Sequence, residues 1–197
     1  MNNLKEELKS YKNLFIELST KIKIILLCAL LVSIFIITYE HLQNGNNVLQ
    51  LLSIYGTLLF MLTLAVIDAK LYIIPNSILI MWLVFRLIFI ALEVLVTFTI
   101  YPVISSFLGA FIVFMLFLAV YYITKRSLGG GDVKLSFVLG LSLTTYFVFT
   151  AVFYALLLSA VFSIIALATK KLTRKDALPL GPFLFLGTVA AYLALII

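Results

Sequence analysis

The feature that most constrains this chain is a succession of long, unbroken apolar runs. Residues 22–39, 48–67, 77–97, 103–123 and 146–169 are nearly continuous stretches of Leu, Ile, Val, Phe, Ala and Tyr, and shorter runs cover 133–145 and 183–197. Runs of about 20 apolar residues are sized to cross the hydrocarbon core of a bilayer as helices. Strands of a membrane barrel alternate apolar and polar residues instead. The expected class is therefore all-α, a polytopic integral membrane helical bundle of about seven spans. Composition agrees, at 64% hydrophobic and 11% charged, where a soluble domain carries about a quarter of its residues charged.

Residues 1–21 form the one amphipathic segment. Leu4, Leu8, Tyr11, Phe15 and Leu18 recur at helical spacing among lysines and glutamates, as in a helix lying on a membrane surface or docking a partner. Residues 43–47 read as a polar loop. The charges then orient the spans. With the N-terminus in the cytoplasm and strict alternation, all but Arg86 of the 14 basic residues fall on, or at the edge of, cytoplasmic segments, and the outer loops carry none. The net charge of +6 thus belongs to topology, and no nucleic-acid partner is expected. Cys28, read as a small core residue, and His41 are the sole cysteine and histidine. They exclude an intrachain disulfide and a Cys-based zinc site, and no metal or organic cofactor is expected.

Two acids stand out. Asp68 closes an apolar run, seven residues before Pro75-Asn76, and Asp132 follows Gly129-Gly130-Gly131 and precedes Val133-Lys134. The orientation puts both on the cytoplasmic side. At the end of a helix Asp68 sits by the negative pole of the dipole, where a carboxylate is disfavoured. Taken singly, each also has a plainer alternative: for Asp68 a solvated helix-end residue beside Lys70, and for Asp132 an N-cap. Taken as a pair they share a proton, because two close carboxylates cannot both ionise easily, and one becomes base while the other stays acid. That chemistry activates water against a peptide bond. The glycines read as a loop that takes φ > 0 and lets a substrate backbone approach.

At these residues the chain resembles the type IV prepilin peptidases, which are intramembrane aspartyl proteases with a Gly-x-Gly-Asp signature. Gly129 to Asp132 matches the signature, and the segment from Asp68 to Pro75-Asn76 resembles the family's first-aspartate segment. Lys134 and Pro179-Leu180-Gly181-Pro182-Phe183 are similar to it as well. The resemblance covers about residues 48–197, a six-helix peptidase core. Residues 1–47 stand before it as the amphipathic helix, the first span and an outer loop. It implies a bacterial or archaeal cell membrane enzyme that cuts prepilin-like precursors at the cytoplasmic face, with Asp68 and Asp132 as the catalytic pair. Gly129, Gly130 and Gly131 are the expected substrate loop. Supporting roles are expected for Lys70, Pro75, Asn76, Lys134, Pro179, Gly181 and Pro182, although Lys70 and Lys134 read equally as positive-inside residues. The larger members also methylate the new N-terminus and carry a domain with paired Cys motifs. This shorter form lacks those motifs, so peptidase activity alone is expected. The competing reading is a proton-coupled transporter or a non-catalytic assembly factor, and a transporter of that kind calls for acids near the midplane and matching halves.

Arg86, about 15 Å into its span at helical rise, is expected to face the bundle interior in a structural role. Glu93 lies seven residues on along the same face, at a spacing that suggests water or other polar groups between the two side chains. Ser105, Ser106, Gly109 and Ala110 read as a close helix contact.

Overall fold

The computed structural model describes residues 48–124, 128–170 and 178–194, together with 27, 28, 30, 31, 34, 35 and 38 of the first apolar run. The amphipathic segment 1–21, the polar loop 43–47, Lys125, Arg126 and the basic residues of 171–177 lie outside the described residues. Within them the protein is all helical. α1 is Val48–Leu71, α2 Asn76–Thr97, α3 Tyr101–Ile123, α4 Gly130–Ala168 and α5 Gly181–Leu193. Among the described residues four helices are long and apolar enough to cross a membrane: α1, α2, α3 and the second part of α4, Phe147–Ala168. The shorter α5 is apolar too. Exposure is inverted relative to a water-soluble bundle: Phe98, Ile123, Phe107, Phe153 and Ile164 face outward, while Ser53, Thr57, Arg86, Glu93 and Ser106 are buried. Cys28 is exposed, not in the core; a small apolar thiol is as well accommodated by lipid as by protein.

Several boundaries differ from the sequence reading, and each difference moves a site residue. α1 runs on to Leu71, so Asp68 lies inside the last turn of the helix. Tyr72, at φ 55°, ends α1 with its amide bonded to the Asp68 carbonyl at 2.9 Å. Ile74 precedes Pro75 and is thereby held out of the helical region, and α2 starts at once after Pro75. Tyr101-Pro102 is the first turn of α3, not a turn before it, because proline's fixed φ suits that position. Gly181 and Pro182 likewise open α5.

The largest change is at α4. Gly130, Gly131 and Asp132 form its first turn, and the N-cap is Gly129 in an extended conformation, φ −66° and ψ 136°. The glycine segment is therefore mostly helix, and Asp132 is not the N-cap. The expected short span and the span after it are one nearly continuous element, broken at Thr144 with φ 56° and ψ 165°. α3 packs along the first half of α4. A Cβ on Gly140 would lie 2.6 Å from the Ala110 Cα, and one on Gly109 would lie 3.0 Å from the Gly140 carbonyl oxygen. The small residues expected at this contact do allow the backbones to touch.

Candidate active site

One end of the bundle gathers the C-terminal turn of α1, the Ile74-Pro75 connection and the N-termini of α2, α4 and α5. The last turn of α1 presents Asp68, which is 5% exposed. Its own helix disfavours a carboxylate at that end. α5 supplies compensation: the Gly181 amide donates to Asp68 Oδ2 at 2.7 Å. The first amides of a helix have no partner within it, so Gly181 is free to donate outward, at the positive pole of its dipole. The approach requires glycine, because a Cβ there would sit 2.9 Å from Asp68 Oδ2 and 3.0 Å from Asp68 Cβ. Half-buried Pro179 and Pro182 flank this contact, and Pro182 lies in the first turn, where its missing N–H removes no helical bond.

Asp132 sits in the first turn of α4, with its amide bonded to the Gly129 carbonyl at 3.0 Å. Burial pushes its carboxyl up to about 6, and the Asp68 charge adds to the rise, against a backbone hydrogen bond from Gly129 that lowers it. The two carboxyls are therefore electrostatic neighbours, although 64 positions separate them in sequence. The three glycines do different things. Gly130 has open space around a Cβ position, whereas a Cβ on Gly131 would meet the Ile74 side chain at 3.0 Å. None of the three adopts the positive φ expected of them. Gly131 allows close packing of α4 on the α1–α2 connection, and of the three expected loop glycines only Gly129 lies outside the helix.

Lys134, one turn into α4, donates to Asn76 Oδ1 at 3.0 Å. Two expected supporting residues thus tie α4 to the start of α2. Lys70 is half-buried in the last turn of α1, and Pro75 is buried. Ile74 was not singled out from the sequence; its signal is Pro75, which forces the preceding residue to be extended. Beside this end, Asn76 and Lys134 are the polar lining of an otherwise apolar cleft of about 600 Å³, formed with Leu79, Leu83, Phe114 and Phe137. Among the described residues there is no cluster of three or more His, Cys, Asp or Glu side chains.

The second polar cluster lies deeper. Arg86 and Glu93 pair directly, at 2.7 Å from Nη1 to Oε1 and 3.2 Å from Nη2 to Oε2, where the spacing suggested an intervening group. Side chains lean toward the N-terminus of their helix, so Glu93 reaches back toward Arg86, and the long arginine covers the rest. Ser53 and Ser106 join this cluster, and nothing in the sequence pointed to Ser53.

The sequence profile of the type IV leader peptidase family matches residues 55–164, a stretch that holds both aspartates. A prepilin leader peptidase/N-methyltransferase of Bacillus subtilis (strain 168) is 32% identical over 136 residues. That match covers 68% of this chain and 52% of the relative, so the chain spans about half of the relative's length. No solved structure matches the chain significantly.

Proposed function

Because the chain belongs to the type IV leader peptidase family, we propose that it is a membrane-embedded aspartyl endopeptidase that removes the leader from prepilin-like precursors. The observation that carries this reading is the meeting, at one end of the bundle, of a buried carboxyl from the end of α1 and a half-buried one from the start of α4, within a family of leader peptidases. Asp68 and Asp132 are the proposed catalytic pair, and the peptidase core is residues 48–197. The active site faces the cytoplasm, where Lys70, Lys134 and Lys170 would follow the positive-inside rule. The substrate is a pilin-like precursor, and the apolar cleft beside Lys134 accommodates part of its apolar segment.

In this mechanism the environments of the two acids divide the roles. Asp68, whose Oδ2 accepts the Gly181 N–H at the positive end of α5, is assigned as the base. Asp132, raised by burial and by the neighbouring charge, is the acid. A water between them attacks the scissile carbonyl carbon. Asp68 takes a proton from the water while Asp132 gives its proton to the carbonyl oxygen, forming a tetrahedral diol. Collapse breaks the C–N bond: the proton on Asp68 passes to the leaving amine, and a diol hydroxyl returns its proton to Asp132. Substrate binding displaces water from the site and raises Asp132 further.

The test is co-expression with a pilin-like precursor, followed by mass determination of the precursor's new N-terminus. Cleavage by the parent chain and none by Asp68→Asn or Asp132→Asn is expected. An intact precursor with the parent chain, or a normal product with either variant, would sink the proposal.

A further inference from the structure

The first half of α4 ends inside the bundle. At Thr144 the backbone turns to φ 56° and ψ 165°, so the helix that begins at Gly130 stops there. Such a stop orphans the carbonyls of the preceding turn, whose partners would be amides four residues ahead. In lipid no water replaces them. Arg86 of α2 does, through Nε, which donates to the Leu141 carbonyl at 3.0 Å. Its Nη1 donates to Ser53 Oγ of α1 at 2.9 Å and to Glu93 Oε1 at 2.7 Å. Its Nη2 donates to Ser106 Oγ of α3 at 3.0 Å and to Glu93 Oε2 at 3.2 Å. A guanidinium has five N–H donors, and these contacts use every one of them.

The cation thus meets the negative pole of a half-helix, and Glu93 neutralises it. Close backbone contact fixes the same end. Gly140 lies against Ala110 with no room for a side chain, and just past the break Thr145 Oγ1 donates to the Ser105 carbonyl at 3.0 Å. The half-helix is pinned in height and in rotation at Leu141. Asp132 is nine residues back on the same rod, about 13.5 Å along the axis at helical rise.

We infer that Arg86 is a positioning residue for Asp132: it caps the half-helix that carries this carboxyl and so sets how the carboxyl faces Asp68. This inference rests on the aspartyl-dyad reading, deepens it, and goes beyond the simple burial of a paired charge. Lysine cannot substitute fully, because its three donors cannot serve Glu93, both serines and the Leu141 carbonyl together.

The experiment reads position and turnover separately, on the full-length purified protein. In a Cys28→Ser background, Ile74→Cys with Gly131→Cys reports the seating of α4 through disulfide formation, because a Cβ at 131 would sit 3.0 Å from the Ile74 Cβ, near disulfide range. Adding Arg86→Gln is expected to slow that crosslink several-fold. In the chain with native residues at 74 and 131, Arg86→Gln is expected to lower kcat on a pilin-like precursor by on the order of 10- to 100-fold with KM nearly unchanged, the signature of a displaced reacting group. Arg86→Lys is expected to recover the yield of folded protein and only part of kcat. Parent-like crosslinking together with parent-like kcat in folded Arg86→Gln would overturn the inference. So would a loss of folded protein in both variants with full turnover per folded molecule, which would leave Arg86 purely structural. Slowed crosslinking with no cleavage by the parent chain would uphold the link from Arg86 to the seating of α4 and sink the peptidase reading instead.

Discussion

Arg86 with Glu93, and Asp68 with Asp132, are two pairs of ionisable groups in an apolar bundle, all buried but the half-buried Asp132, and the protein treats them in opposite ways. Around Arg86 opposite charges meet and every guanidinium donor has an acceptor. At the other place two carboxyls of the same sign sit as neighbours, and Asp132 is raised toward neutrality by burial and by Asp68. A buried charge with all its partners in place is locked. A buried acid facing another acid is poised to exchange a proton near neutral pH. The contrast teaches that burial alone does not mark a reactive group; the sign and completeness of its partners do. Loss of a group should therefore cost folding free energy at the first place, where turnover suffers only through the seating of α4, and should strike the chemistry directly at the second.

The largest expected effect is at the dyad. Asp68→Asn or Asp132→Asn should lower cleavage by on the order of 10²- to 10⁴-fold, and the double variant should be no worse than the poorer single one, since the pair acts as one unit. Neither should lose stability. The pH dependence has a defined sign. Asp132 is raised to about 6, so the stability that comes with its proton is present in acid and fades as pH rises through that value. Thermal unfolding in detergent should show this slope in the parent chain and a flatter one in Asp132→Asn. Cleavage should fall on the alkaline side as the acid form of Asp132 is lost, and on the acid side as Asp68 is protonated. An unchanged pH slope in Asp132→Asn would break the comparison.

Next in size is Glu93→Ala, which leaves Arg86 buried without its counter-charge. A loss of about 3–5 kcal/mol in unfolding free energy is expected, as for other broken buried pairs. A stable Glu93→Ala protein would show that the two polar places do not differ as described.

Gly181→Ala should be smaller and should affect turnover, not folding. Its Cβ would press on Asp68 at 2.9 Å, and a displaced base is expected to cut kcat by roughly 10-fold or more while KM changes little. Wild-type kcat in this variant would remove Gly181 from the site.

The smallest contrast lies within the glycine run. Gly130→Ala has open space in a first helical turn and should be neutral or stabilising by up to about 0.5–1 kcal/mol. Gly131→Ala must push Ile74 aside by a few tenths of an ångström and should lower activity measurably. Equal behaviour of the two variants in a cleavage assay would refute the packing role assigned to Gly131.

Much of this protein was legible from residues alone. The apolar runs marked α1, α2 and α3 to within a few residues, because continuous hydrophobicity in a membrane leaves the backbone no choice but to satisfy itself as helix. Asp68 and Asp132 stood out because an acid at the edge of such a run is costly. The glycines were misjudged as a loop. A Gly-Gly-Gly run lowers helix propensity, yet Gly131 and Asp132 are helical because α4 packs on Ile74, and propensity yields to that contact. Glu93 was placed on the correct face but not at the correct distance, since residue spacing counts backbone rise and ignores the reach and lean of side chains.

Sequence by itself determined the class, the approximate spans and the residue types able to do chemistry, because those follow from local hydrophobicity and from charge that lipid will not accept. Which groups meet was decided only by the tertiary structure. Gly181 against Asp68, Ile74 against Gly131, Lys134 against Asn76, and Arg86 against a carbonyl freed by a helix break at Thr144 join residues that are distant in the chain. Those pairings depend on how the helices are rotated and offset against one another. Helix rotation is set by side-chain packing summed over the whole bundle, and no single run of residues encodes it.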